Sequence, residues 1–412
     1  MNQGSDVKQG SLQGTPTTEP DLTKWTVMVF MGADNVKGTA PLKTFAKADL
    51  EEMAQVGSGG QLNLYVQVHG LGNGPMRGKI AEGSELALVP ADQKDTAGGM
   101  ALEHFIASSI EASGHDSQND QHHTMLVLWG HAYDFAIDRE QRPDGTIDAL
   151  DFADLSDVLR RLQQRYQASG AKLDILAFDA CDVATVELAY QLEPFAKYLL
   201  GSQIGVPLPG WPYDRILERL RTPIGRGMSP AEFGSYVVRR YCESYPSARP
   251  VSLSLLDLEC VSDLFDRTEE LATALNDTMR SADGRDWLAY LFHESGTAPG
   301  RPFVDLADLC LTLLRQSGDA KVASSAEAVG DLLISPRPPL AGMSAEGKGR
   351  PFVVENGRNA GIAARLNGVS IYAPHLGTRR DFEAVRPLYQ NFTFAQRTKW
   401  SDVVHTLARL SY

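Results

Sequence analysis

The stretch LDILAFDACDVATVELAYQL (173–192) decides how this chain is read. Its opening LDILAF is a short apolar-rich run of strand character, and the residues from Cys181 onward carry apolar side chains at helical spacing, so a buried strand feeds a helix with a cysteine at the join. The same strand signature recurs on either side, in WTVMVFM (25–31), LNLYVQV (62–68), TMLVLW (124–129) and YLLGS (198–202). Helical patterns over 41–55, 98–113, 151–166 and 181–195 alternate with these runs. Strand, helix, strand repetition predicts a parallel sheet with helices on its faces. Beyond about residue 250 helical patterns and long loops dominate, with one late strand in GVSIYAP (368–374). The expected fold is α/β, a mainly parallel sheet flanked by helices with a helix-rich C-terminal subdomain. The expected division is a disordered tail over 1–24, a sheet domain over 25–249 and the subdomain over 250–412.

Composition narrows the function. Among 412 residues, 43% are hydrophobic and 22% charged, as in a globular chain. With 39 Lys+Arg against 52 Asp+Glu, the net charge of -13 leaves no general basic surface for a phosphate backbone or anionic lipid, which argues against nucleic acid and membrane partners. Four scattered cysteines without a CxxC pair suggest neither a disulfide framework nor a cysteine zinc site. No apolar run approaches the roughly 18 to 20 residues that cross a bilayer. The first residues are polar and no apolar h-region follows Met1, so a cytoplasmic location is expected.

In open parallel sheets the residues just after each strand gather at the ligand-binding edge. Cys181 stands there, at the expected start of a helix whose N-terminus would favour a thiolate. Cys242, Cys260 and Cys310 fall inside helical patterns, where burial as small apolar residues is expected. A general base for a thiol is a histidine on a neighbouring strand end, either His69 after LNLYVQV or His131 after TMLVLWG. His131 precedes Cys181 by 50 residues, about the separation of base and nucleophile in caspase-type peptidases. The two strands are also consecutive, so they should pair side by side. His69 continues into GLGNG, which reads as a hairpin turn.

WTVMVFMGADN, LEEMAQVGS, TMLVLWGH, LDILAFDAC, the GWPY after it and GVSIYAP together resemble the clostripain-like (C11) cysteine peptidases of the caspase-type clan, from about residue 25 to the C-terminus. The resemblance implies a caspase-like fold, a protein or peptide substrate with a basic P1 residue, Arg or sometimes Lys, and a dyad of His131 and Cys181. It implies an oxyanion hole from the backbone N–H groups of Ala132 and Cys181. Asp179 matches the carboxylate at the floor of the S1 pocket, although an Asp before a helix is also a natural cap. Ser202, Gln203 and Trp211 are placed along the substrate cleft. Two positions depart from the family pattern: Ala132 replaces a glycine, and Pro209 stands where an acidic residue usually helps hold P1.

Relatives are often activated by a cut between His and Cys. Here AIDREQRPDGTID offers Arg139 and Arg142, either as self-cleavage sites or for an upstream activating protease, unless the segment is an ordinary charged loop. Some relatives use calcium, and DLADL (305–309) has carboxylates but lacks the ordered oxygens and glycine of an EF-hand, so calcium dependence stays open while no other metal or cofactor is expected. Asp34 and Asn35 read as caps of the following helix. No HExxH, GxSxG or GxGxxG arrangement offers a rival chemistry. The alternative of another class is a catalytically silent relative that binds peptides or partner proteins through the same cleft.

Overall fold

In WTVMVFM both sets of alternating side chains are apolar, a pattern suited to a strand covered on both faces. A computed structural model of the chain describes residues 23–33, 42–72, 74–83, 87–91, 99–115, 119, 121–133, 135–141, 147–165, 172–295, 301–333, 351–359, 361–374 and 379–410. Its strands are β1 (Lys24–Gly32), β2 (Leu62–His69), β3 (Met76–Lys79), β4 (Val89–Pro90), β5 (His122–Trp129), β6 (Ala132–Tyr133), β7 (Ala136–Gln141), β8 (Ile147–Asp151), β9 (Leu173–Asp179), β10 (Ala196–Gly201), β11 (Ser252–Asp257), β12 (Phe303–Asp305), β13 (Val353–Arg358) and β14 (Ser370–Tyr372). Its helices are α1 (Lys43–Val56), α2 (Gly99–Ser113), α3 (Phe152–Arg165), α4 (Val186–Leu192), α5 (Tyr213–Arg221), α6 (Pro230–Ser244), α7 (Val261–Thr278), α8 (Ala282–Glu294), α9 (Leu306–Gln316), α10 (Ala320–Leu333), α11 (Arg379–Gln390), α12 (Thr393–Arg397) and α13 (Trp400–Arg409).

Nine strands form one sheet in the order β13-β11-β10-β9-β5-β1-β2-β3-β4. The middle five are parallel, as the alternation of strands and helices requires, and antiparallel strands close both margins. On one face Val27, Val29, Val127, Ile175 and Ala177 pack against α1, α5 and α6. On the other Met28, Phe30, Leu126, Leu176 and Phe178 join a core that runs through α2, α3, α4 and the helices from α7 to α13. Each such buried aliphatic or aromatic side chain contributes about 1.5–3 kcal/mol.

The C-terminal half departs from expectation. SLSLLD (β11) and VVENGR (β13) extend the central sheet, whereas GVSIYAP supplies β14, which pairs with β12 in a separate two-stranded sheet. The boundary expected between 249 and 250 therefore falls inside one sheet and one core. β2 and β3, on either side of GLGNG in the sequence, form an antiparallel pair, and Asn73 between them lies outside the described residues. Residues 1–22, Asp34 and Asn35 lie outside the described residues. Among the described residues no helix is long and apolar enough to cross a membrane.

Candidate active site

β5 and β9 pair in parallel with Trp129 opposite Asp179, which sets the two strand ends level. The Gly130 N–H donates to the Asp179 carbonyl at 3.3 Å and ties the ends together. Two residues past each register partner, His131 and Cys181 line the same small cavity of about 80 Å³, together with Leu42, Trp129, Asp179 and the loop residues 206–208 and 210. His69 is two strands away, buried, with Nε2 3.0 Å from the Gln67 amide nitrogen, and it does not line the cavity.

Cys181 does not begin a helix, contrary to the expectation from its sequence pattern. Asp182 adopts φ +54, and the N–H groups of residues 182–184 donate to the carbonyls of Ile204 and Ser202, so the chain crosses toward the end of β10 before turning helical. α4 starts only at Val186, capped by the Thr185 hydroxyl, which accepts from the Leu188 N–H at 3.2 Å. Burial pushes the partly buried Cys181 thiol up, and the Val206 N–H, 3.2 Å from Sγ, opposes that shift because it stabilises negative sulfur. The other thiols stand apart. Burial drives Cys242 up to about 12 and buried Cys310 higher still, and Cys260 sits just ahead of α7. None of the three lines the cavity.

Asp179 is not a helix cap, since Thr185 has that role. Its Oδ2 accepts from the Trp211 N–H and the Tyr213 hydroxyl, both at 3.2 Å, while Oδ1 is buried without a hydrogen-bond partner. Burial pushes the carboxyl up to about 7, Trp211 and Tyr213 pull it back, and Glu52 adds repulsion. Gly210 is required beside it: its φ is +64, and a Cβ there would stand 2.9 Å from Asp179 Oδ2. Pro209 is exposed and is not among the residues that line the cavity, although its neighbours Leu208 and Gly210 are. Ala132 opens β6 opposite Ile137. Among the described non-glycine residues only Phe135 and Asp182 have positive φ, so Ala132 needs no glycine-type backbone.

The cleft expected from Ser202, Gln203 and Trp211 is not where these side chains lie. All three are buried. The Ser202 hydroxyl donates to the Ile204 carbonyl at 2.9 Å. The Gln203 amide donates to Asp305 at 2.9 Å and Ser370 at 3.0 Å and accepts from the Gly368 N–H at 2.7 Å. Trp211 reaches the site only through its backbone N–H on Asp179. Past β10 the chain turns into the core, and its polar side chains must find protein partners there. Arg139 lies in β7, opposite Ala149, rather than in a free loop, and Arg142 lies outside the described residues. Asp305 caps α9 and also binds Asn367, and Asp308 pairs with Arg365 at 2.7 Å. These carboxylates are consumed by protein donors, so DLADL does not fit a calcium cage.

One residue of the site went unmarked in the sequence. Asp49 lies on the buried stripe of α1 with Ala46, Leu50 and Met53, and its Oδ2 accepts from the Trp129 indole N–H at 2.7 Å, directly behind the cavity wall. A charged residue on an apolar helical stripe was the available signal. Thiol and imidazole in one cavity are the pair that covalent acyl transfer to sulfur uses.

The sequence model of the Clostripain family, peptidase C11, matches residues 29–406. Clostripain from Hathewaya histolytica is 36% identical over 83 residues, which is 19% of this chain and 14% of that protein's length. Two solved structures share the fold. A secreted C11 cysteine protease from Bacteroides thetaiotaomicron, bound to an irreversible peptide inhibitor, superposes with a TM-score of 0.59 at 17% identity, covering 90% of this chain and 99% of its own. An inactive zymogen C11 protease from Parabacteroides distasonis gives 0.60 at 15% identity, covering 92% and 99%.

Proposed function

The chain belongs to the clostripain family, and from that premise we propose that it is a cysteine endopeptidase with Cys181 as nucleophile and His131 as general acid and base. The observation that carries this reading is the meeting of those two side chains in one cavity at the ends of adjacent parallel strands. His131 takes the thiol proton, Cys181 Sγ attacks the scissile carbonyl, and the imidazolium returns the proton to the leaving amine, leaving a thioester that water then hydrolyses. The backbone N–H groups of Ala132 and Cys181 hold the oxyanion of each tetrahedral intermediate. Asp179, with one oxygen free of hydrogen bonds at the cavity wall, selects Arg or Lys at P1 through charge pairing.

The enzyme is made as a zymogen in this reading, activated by a cut in the chain between β7 and β8, by itself or by another protease. Its substrates are a limited set of proteins or peptides with a basic P1 residue.

Fluorogenic peptides that differ only at P1, offered to wild type, Cys181→Ala and Asp179→Ala with intact masses recorded in parallel, test the proposal. Hydrolysis after Arg and Lys should vanish with Cys181→Ala. Asp179→Ala should lower kcat/KM for Arg by about 100-fold, as the loss of a charge-assisted pair of about 3 kcal/mol implies, and leave slow cleavage after neutral residues unchanged. Turnover by Cys181→Ala would remove the nucleophile assignment, and an intact Arg preference in Asp179→Ala would remove the pocket assignment.

A further inference from the structure

Asp182, the residue next to Cys181, occupies an unusual position for a carboxylate. Its backbone is left-handed at φ +54, a conformation Asp tolerates better than most residues. Its side chain is only 8% exposed, and neither oxygen accepts a well-aligned hydrogen bond. The guanidinium of Arg301 approaches it, with Nη1 2.9 Å from Oδ2. Arg301 comes from far along the chain and is held in place by the segment on its C-terminal side: the Pro302 carbonyl accepts from the Ala373 N–H at 2.8 Å, and β12 pairs with β14. A buried carboxylate compensated mainly by one ion pair is costly to leave alone.

We infer that Arg301 is a positioning residue for the nucleophile: by pairing with Asp182 it neutralises the carboxylate that directly follows Cys181, so that negative charge can develop on Sγ. The inference rests on Cys181 being the nucleophile. The groups acting on Sγ come from several elements. Burial raises the thiol most, the Val206 N–H lowers it, Asp182 raises it, Arg301 lowers it and Asp179 raises it. Tyr241 of α6 is itself pushed up partly by Cys181, and His131 lines the same cavity. Of these, Asp182 and Arg301 oppose each other directly, so removing the cation alone leaves an unscreened anion beside the sulfur.

The test is the pH dependence of iodoacetamide alkylation at Cys181, mapped by peptide mass spectrometry in the full chain, for wild type, Arg301→Ala, Arg301→Lys, Asp182→Asn and the double variant Asp182→Asn/Arg301→Ala. Alkylation reads the thiol whether or not the protein cleaves peptides, so the result stands apart from the peptidase assignment. Arg301→Ala should move the alkylation midpoint up by about one pH unit, the usual size for loss of a close opposite charge. Arg301→Lys should stay near wild type. Asp182→Asn should move the midpoint down, and the double variant should fall back near wild type, because the two charges that oppose each other at Sγ are then both gone. The rising limb of kcat/KM against pH should follow the same order. A midpoint in Arg301→Ala that matches wild type, even with a lowered melting temperature, would reduce Arg301 to a structural tie. A double variant that behaves like Arg301→Ala would show that Arg301 does not act through Asp182.

Discussion

Asp179 at the cavity wall and Asp49 behind it, bonded to the cavity-lining Trp129, are both buried carboxyls, and neither is an ordinary surface acid. Burial, then the charge of Asp179, push Asp49 up to about 9 against the pull of the Trp129 indole; burial pushes Asp179 up to about 7. At neutral pH Asp49 keeps its proton. Both folded values lie above the unfolded value of 3.8, so between 3.8 and these values the folded state binds more protons than the unfolded chain. Their contribution to stability is therefore fully present below the unfolded value and is lost as pH rises, through about 7 for Asp179 and about 9 for Asp49. Each group adds a slope of up to about 1.4 kcal/mol per pH unit in its window. Asp49→Asn keeps an oxygen for the indole N–H and removes the titration. Urea unfolding at a series of pH values should show wild-type stability falling toward pH 9 and a fall in Asp49→Asn that is shallower by about one such slope. Equal slopes would mean that Asp49 holds no extra proton when folded. The same chemistry predicts that KM for an Arg peptide falls as pH rises through about 7, where Asp179 ionises, while KM for a neutral P1 residue stays level.

At the scale of elements, the loop over 205–210 does two jobs, presenting the Val206 N–H to Cys181 and laying Gly210 against Asp179. Gly210→Ala forces a Cβ into the carboxylate at a positive φ. The strain should cost about 1–3 kcal/mol of stability, and kcat/KM should drop with it, read by melting and peptide hydrolysis on one sample. The ribbon of β6, β7 and β8 sets a second expectation. A protease binds its substrate as an unpaired extended strand, and the backbone of Arg139 is already committed to the ladder opposite Ala149. Processing should leave a new C-terminus at Arg142 and persist in Arg139→Ala, as intact mass will show. The pairing of His131 with Cys181 was legible because two apolar runs, TMLVLW and LDILAF, end one turn of chain before each residue and sit next to each other in strand order. SLSLLD was harder to read. Ser252 and Ser254 are fully buried yet polar, bonding Ser202 and Asn356, so the apolar signature of a central strand is broken. Gln203 was misplaced for a related reason, since nothing local announces that its amide will meet Asp305 across 102 residues of sequence. A loop N–H such as that of Val206 leaves no trace in side-chain pattern at all.

Over the whole molecule, the short helix after Cys181 is clasped by residues that come long after it. The Ala184 carbonyl accepts from the Ser370 N–H at 2.8 Å, Glu187 from the Tyr372 N–H at 2.8 Å and Gln191 from the Thr393 N–H at 3.0 Å. Gln203 adds its links to Asp305, Gly368 and Ser370, and β11 covers the edge of β10 along Leu199 and Leu200. A chain ending at residue 249 would leave a buried glutamate and two buried amides without partners, an unpaired strand edge in the middle of the sheet, and Phe178 with much of its covering core removed. Each orphaned polar group costs about 1–3 kcal/mol, and a typical domain has only about 5–15 kcal/mol to lose. The fragment over 23–249 should therefore bind a hydrophobic dye or precipitate, whereas the full chain should unfold in one transition seen alike by tryptophan fluorescence and far-ultraviolet circular dichroism. Cooperative unfolding of the isolated fragment would instead establish the sheet domain over 25–249 as an independent unit, with the strands after residue 250 added to an edge that is already stable.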